Sequence, residues 1–166
     1  MERFDDGGGG LMAGAKKGPG EEKRRSPQDV ADTLDRYAEQ IERGLKELTA
    51  SPGMPGYKEA VSWEWDLRLL AHLGRYYAEK TRGGTDLLYY WCTGDTAAQQ
   101  RAILALTRAK EHWLKIVELG DKVYTLPKVS IYPALEWRLY LKDVDQDIAF
   151  AQGPPAFKSR SYNRAV

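Results

Sequence analysis

One stretch constrains this chain more than any other, residues 58–95, KEAVSWEWDLRLLAHLGRYYAEKTRGGTDLLYYWCTGD. Projected at about 100° per residue, Glu64, Arg68, Arg75, Glu79 and Arg82 fall within roughly 60° of one another. Val61, Trp63, Trp65, Leu67, Leu69, Leu70, Leu73 and Tyr77 cover most of the remaining circumference. The pattern predicts a helix with one narrow wet stripe. A helix that is apolar on most sides is packed by more than one neighbour. This one is therefore expected at the centre of an all-α fold, an antiparallel bundle of about four helices.

The neighbours are legible on both sides. Ser26-Pro27-Gln28-Asp29 offers an N-cap hydroxyl, a proline at the first helical position and an acid at N3, so a first helix is expected from residue 26 to about 50. Its residues Val30, Leu34, Tyr37, Ile41, Leu45 and Leu48 follow steps of three and four and predict one apolar seam that a partner must cover. The string SPGMPGY then makes a turn, and a short loop makes the first two helices antiparallel. Gly83-Gly84 either breaks the second helix or admits another backbone closely; the apolar phase carried on by Leu87, Leu88 and Trp91 favours continuity.

Thr93-Gly94-Asp95 is a stop followed at once by an N-cap, which predicts a tight reversal into a third helix over 96–119. Residues 120–133, with Pro127 and Pro133, read as an extended connection. A fourth helix is expected over 134–152, stopped by Gly153-Pro154-Pro155. The glycine-rich, charged residues 1–25 cannot bury enough apolar area to offset ordering entropy and predict a disordered tail. Residues 153–166 read as a frayed C-terminal tail. The domain itself is thus expected to span 26–152.

Composition removes several functional classes. Against 25 basic residues stand 24 acidic ones, and a net charge of +1 leaves no electrostatic footprint for nucleic acid or an anionic membrane. The lone Cys92 excludes an internal disulfide and a cysteine zinc cluster, and beside aromatic residues it reads as core filling. His72 and His112 lack histidine neighbours at i+3 or i+4, so no metal and no cofactor is expected. The run GGGG lacks the Gly-Lys-Ser/Thr of a phosphate loop, and no Gly-x-Ser-x-Gly occurs. No secretory signal or run of about eighteen apolar residues appears, and the expectation is a cytoplasmic chain by default.

Two charges are out of place. Asp66 and Lys80 project near Leu73 in the apolar arc, about fourteen residues and roughly 21 Å apart along the axis, too far to pair with each other. Each is expected to meet a bundle partner, reach water, or line a polar pocket. Asp143, Asp145 and Asp147 point to different sides of a helix and read as solvated. Helical phase sends most of the aromatic residues inward, with Tyr89 on the wet side and Tyr124 and Tyr132 in a connection as candidates for exposed contacts.

Taken together, SPQDVADTLDRYAEQ, LAHLGRYYAEKTRGG, TGDTAAQQRAI with AKEHW, and LEWRLYLKDVDQDI resemble the C-terminal helical segment of large multidomain bacterial proteins, glycoside-hydrolase-like or uncharacterised. The resemblance covers residues 26–148. It implies an accessory helical module whose chemistry lies in another domain, and it carries no catalytic residue onto this chain. The leading expectation is a non-catalytic module that packs against another protein domain or chain. A carbohydrate-binding module using exposed aromatic rings is the alternative. A small enzyme built around Asp66 or Lys80 is the third.

Overall fold

The computed structural model describes residues 25–48, 52–123 and 137–155. All regular structure in them is helical: α1 (Pro27–Glu47), α2 (Tyr57–Thr93), α3 (Thr96–Val123), and a 3-10 turn (Trp137–Tyr140) that leads into α4 (Leu141–Gln152). Of the expected tails, residues 1–24 and 156–166 lie outside the described residues, as do residues 124–133 of the expected connection with its candidates Tyr124 and Tyr132, and the first three residues, 134–136, of the expected fourth helix. Within the expected connection, residues 120–123 extend α3 instead, and α1 stops before residue 50.

The helix ends form for local reasons. Ser26 Oγ accepts from the Asp29 amide at 3.1 Å while the Asp29 carboxylate accepts from the Ser26 amide at 2.9 Å, a reciprocal cap of the kind worth about 1 kcal/mol. Gly94, at φ +76, closes α2 with its amide on the Tyr90 carbonyl at 2.7 Å. Asp95 then accepts from the Ala97 amide at 2.9 Å and opens α3. The end of α4 is held from a distance, because Gln99 Nε2 donates to the Ala151 and Gly153 carbonyls at 2.9 and 3.1 Å.

Central α2 runs unbroken through Gly83-Gly84. At Gly83 a Cβ would stand 2.8 Å from Leu106 Cγ, so this glycine lets α3 close on α2; at Gly84 nothing lies within 4 Å. Of the two meanings offered for the pair, the close approach holds, at Gly83 alone, and the break does not occur. Ala98, Ala102, Ala105 and Ala109 of α3 are buried along the same interface, while Ala31 and Ala38 are the buried residues of α1. Half of the buried apolar residues among those described are alanine. Larger side chains form two clusters, one on Leu69, Tyr76, Trp113, Ile116 and Val144, the other on Leu87, Tyr90 and Leu106.

Two expectations about exposure are overturned. Of the stripe of α2 predicted to be wet, Arg75, Glu79 and Arg82 form an interhelical ion network, while Glu64 and Arg68 pair with each other within α2. Arg82 binds Asp32 at 2.8 Å and Asp35 at 2.6 Å on α1, and Glu79 at 3.0 Å; Glu79 also takes Arg108 of α3 at 2.8 Å. Arg75 binds Glu42 of α1 at 2.7 Å. Conversely, the apolar seam of α1 is only partly covered, with Tyr37 53% exposed and Val30 and Leu48 also exposed. By projection the exposed seam sits roughly 90° from Ala31 and Ala38, which face α2. The ion pairs, which need Asp35 and Glu42 turned toward α2, fix α1 in this rotation.

Candidate functional site

Aromatic residues from three elements converge beside the midpoint of α2. Tyr76, Tyr77 and Lys80 of α2, Trp113 of α3, Trp137 and Tyr140 of the 3-10 turn, and Asp143 and Val144 of α4 line an open pocket of about 430 Å³. The rings touch in sequence: Tyr77 meets Tyr76 edge-on at 5.0 Å, Tyr76 meets Trp113 at 4.8 Å, and Trp113 meets Trp137 at 5.9 Å and Tyr140 at 6.2 Å, both edge-on. Such edge contacts pair the positive rim of one ring with the negative face of the next.

The floor is fixed from behind. Trp113 Nε1 donates to the Trp137 carbonyl at 3.1 Å. At Gly120 a Cβ would stand 2.7 Å from Trp137 Cδ1, so only glycine at this position of α3 lets the indole lie flat on the helix.

Lys80 answers one of the two open questions on α2. Its Nζ lies 2.6 Å from Asp147 of α4 and donates to the Tyr76 hydroxyl at 3.2 Å, with the Tyr76 ring centroid 5.6 Å away. Burial works to lower the Lys80 pKa, but the bonds to Asp147 and Tyr76 more than offset it, and the net shift is upward. Burial pushes the Tyr76 hydroxyl up as well. Lys80 is thus a fixed ammonium at neutral pH. It also borders a second cavity of about 200 Å³ with Gly84, Leu87, Trp91, Leu106, Asp147 and Phe150, so the Lys80–Asp147 pair forms a bridge between two hollows along α4.

Asp66 is exposed rather than on a dry face. The projection marks which arc of α2 is apolar but not how far neighbours cover it: Leu73 packs against the core, whereas Trp63, Asp66 and Leu70 stand exposed. Tyr89 is exposed, as its phase predicts, but it lines none of the cavities described here. Cys92 is exposed, not core filling. Of the three aspartates expected to be solvated, Asp147 pairs with Lys80, Asp145 pairs with Lys110 of α3, and Asp143 faces the pocket.

A second polar feature lies between α2 and α3. His72 and His112, forty residues apart, meet Nδ1 to Nδ1 at 3.3 Å. His72 borders a hollow of about 350 Å³ with Glu42, Leu45, Lys46, Arg68 and Ala71. Among the described residues no group of three or more His, Cys, Asp or Glu side chains is placed to hold a metal ion. None of the helices described is long and apolar enough to cross a membrane.

Trp113, Trp137, Tyr140, Tyr76 and Tyr77 were not singled out individually from the sequence, and Asp143 was set aside. The one local signal was the i, i+4 relation of Tyr76 and Lys80, which places a hydroxyl and an ammonium on the same turn face. Comparison with family models, curated proteins and solved structures returns no match.

Proposed function

We propose that this chain is a non-catalytic helical interaction module whose α1–α2 face receives an amphipathic helix of another protein. One observation carries the reading. The α1–α2 contact is made through alanine and glycine while large apolar side chains beside it stay outside, with Trp63 68% and Tyr77 50% exposed. Gly74 of α2 abuts Leu34 and Ala38 of α1. By projection, Arg75 and Arg82 lie to one side of that contact, and Trp63, Leu70 and Tyr77 to the other. The exposed Val30, Tyr37 and Leu48 of α1 border this second side. Two apolar stripes, each with seven-residue spacing (Trp63, Leu70, Tyr77 and Val30, Tyr37), thereby flank one groove.

Seven-residue spacing is the repeat of a helix seam, so the groove fits a helix with apolar residues at i, i+3 or i+4 and i+7. Scattered exposed leucines need no explanation, but an aligned set of this kind marks an interaction surface. The resemblance to accessory helical segments of larger proteins is in keeping with this role. A catalytic reading has less support. Lys80 does sit in a concave site with Asp147 and Tyr76 in reach, but as an ion-paired ammonium it is an anchor rather than a base or nucleophile.

The test places a photo-crosslinking amino acid at position 70 of the intact chain in its native host. The reading expects a crosslink mapped to an amphipathic helix of a different protein. A crosslink to position 70 or its surroundings in a second copy of this chain, or to a non-helical segment, would overturn it.

A further inference from the structure

The aromatic pocket between α2, α3 and α4 is separate from the proposed docking groove, shares only Tyr77 with it, and has its own chemistry. We infer that this pocket binds an uncharged sugar. At about 430 Å³ it lies within the range of small-ligand sites, and its rings are held in place before any ligand arrives by the Trp113–Trp137 hydrogen bond and the Gly120 cradle.

Charge selects among ligand classes. Lys80 is neutralised by Asp147, which leaves the Asp143 carboxylate as the pocket-wall charge without an ion pair among the described residues. A phosphate, nucleotide or carboxylate would meet net negative potential there. A quaternary ammonium would suit a cage of rings, but the deepest ring, Tyr76, already carries the Lys80 ammonium at 5.6 Å, and a second cation would be repelled. A purely aromatic ligand would leave the polar groups unmatched. Those groups are both donors and acceptors. An ammonium has three protons, of which Asp147 and Tyr76 take two, so Lys80 keeps one to donate. Asp143 accepts, and the Tyr77 hydroxyl does either.

A sugar ring matches all of this. Its C–H face stacks on tyrosine or tryptophan, and its rim of hydroxyls needs donors and acceptors together. Tyr77 and Tyr140 are the exposed rings that would take the face, with Lys80 and Asp143 placed to read the rim.

The experiment titrates the full chain with maltotriose, cellotriose and chitotriose, and in parallel with glucose 6-phosphate, AMP and choline, by calorimetry and tryptophan fluorescence. The expected result is saturable binding of at least one neutral trisaccharide, weakened roughly tenfold by Tyr140→Ala through loss of a stacking face and weakened also by Asp143→Asn. Trp63→Ala, in the docking groove, leaves it unchanged. Because Tyr140 and Asp143 are exposed, both variants are expected to fold, which circular dichroism checks. Three results would overturn the inference: tighter binding of a phosphate compound or choline, binding indifferent to Tyr140→Ala, or no binding of any trisaccharide at about 20 mM, a concentration that reveals even a weak small-ligand site. Each leaves the docking groove untouched, since Leu70 and Tyr37 take no part.

Discussion

His72 of α2 and His112 of α3 meet head to head, Nδ1 to Nδ1 at 3.3 Å, and the arrangement is that of a hydrogen bond rather than a chelate. Their ring centroids are 5.6 Å apart, close to the nitrogen separation plus two ring radii of about 1.1 Å, so the nitrogen lone-pair axes point nearly along one line. A tetrahedral metal would instead draw the two axes toward a point at roughly 109°. One ring therefore donates its Nδ1 proton and the other accepts.

This pair predicts acid sensitivity. The His72 pKa is lowered by burial and then by His112, and the His112 pKa is lowered by burial and then by Arg75. With folded values below the unfolded one of about 6.5, the unfolded chain binds more protons, and stability falls as pH drops through that value toward the folded pKa values. Asp35, Glu42 and Lys46 of α1, Arg68, Arg75 and Glu79 of α2, and Glu111 and Lys115 of α3 face or flank the pair. Thermal unfolding at pH 7.5 and 5.5 is expected to show a larger drop in Tm for the native chain than for His72→Gln/His112→Gln. Equal drops would contradict it.

At Gly83 and Gly84 of α2, alanine is expected to act in opposite directions. Gly83→Ala puts a Cβ 2.8 Å from Leu106 Cγ and 3.3 Å from the Ala102 carbonyl, forcing α3 away, and destabilises by about 1–3 kcal/mol. Gly84→Ala meets nothing within 4 Å and gains up to about 1 kcal/mol of helix propensity. Urea denaturation of the two variants measures both signs.

Gly120→Ala probes the pocket floor. The new methyl would overlap Trp137 Cδ1, so the indole must leave its seat on α3. The expected result is a loss of about 1–3 kcal/mol with a red shift in tryptophan emission as Trp137 meets water. An unchanged spectrum with unchanged stability would place Trp137 elsewhere.

For α1, the rotation set by Arg75 and Arg82 is expected to be fragile. The fully buried side chains of α1 are two alanines, and its ion pairs to α2 are partly exposed and individually worth about 1 kcal/mol. Arg75→Ala/Arg82→Ala should speed amide exchange over 27–47 while leaving the α2–α3 core amides near their native rates. Uniform acceleration across all helices would show that α1 does not open on its own.

These particulars also mark what sequence alone could and could not give. Caps such as Ser26–Asp29 and Gly94–Asp95 are local, and together with apolar phase and the Gly153-Pro154-Pro155 stop they made the four helices legible. The environment of a face is not local. Arg75 and Arg82 look solvent-directed in a single-helix projection because their partners, Glu42, Asp32 and Asp35, belong to another helix. Asp66 looked buried for the converse reason, an apolar arc taken for a covered one. The pocket was harder still: Lys80 was visible as an anomaly, but Asp147 and Tyr140 reach it only through a tertiary fold that brings α4 back across α2 and α3.

The most direct measurement is selection of displayed peptides on the intact chain, using a library of about twenty residues, long enough to span roughly 30 Å of groove as a helix. Enriched peptides are expected to share apolar residues at i, i+3 or i+4 and i+7, and to lose tenfold or more in affinity on Leu70→Glu and on Tyr37→Glu, with the folded state retained. Peptides indifferent to both substitutions would contradict the docking groove, and so would a homodimer of the chain that Leu70→Glu dissolves, since the groove would then belong to a second copy.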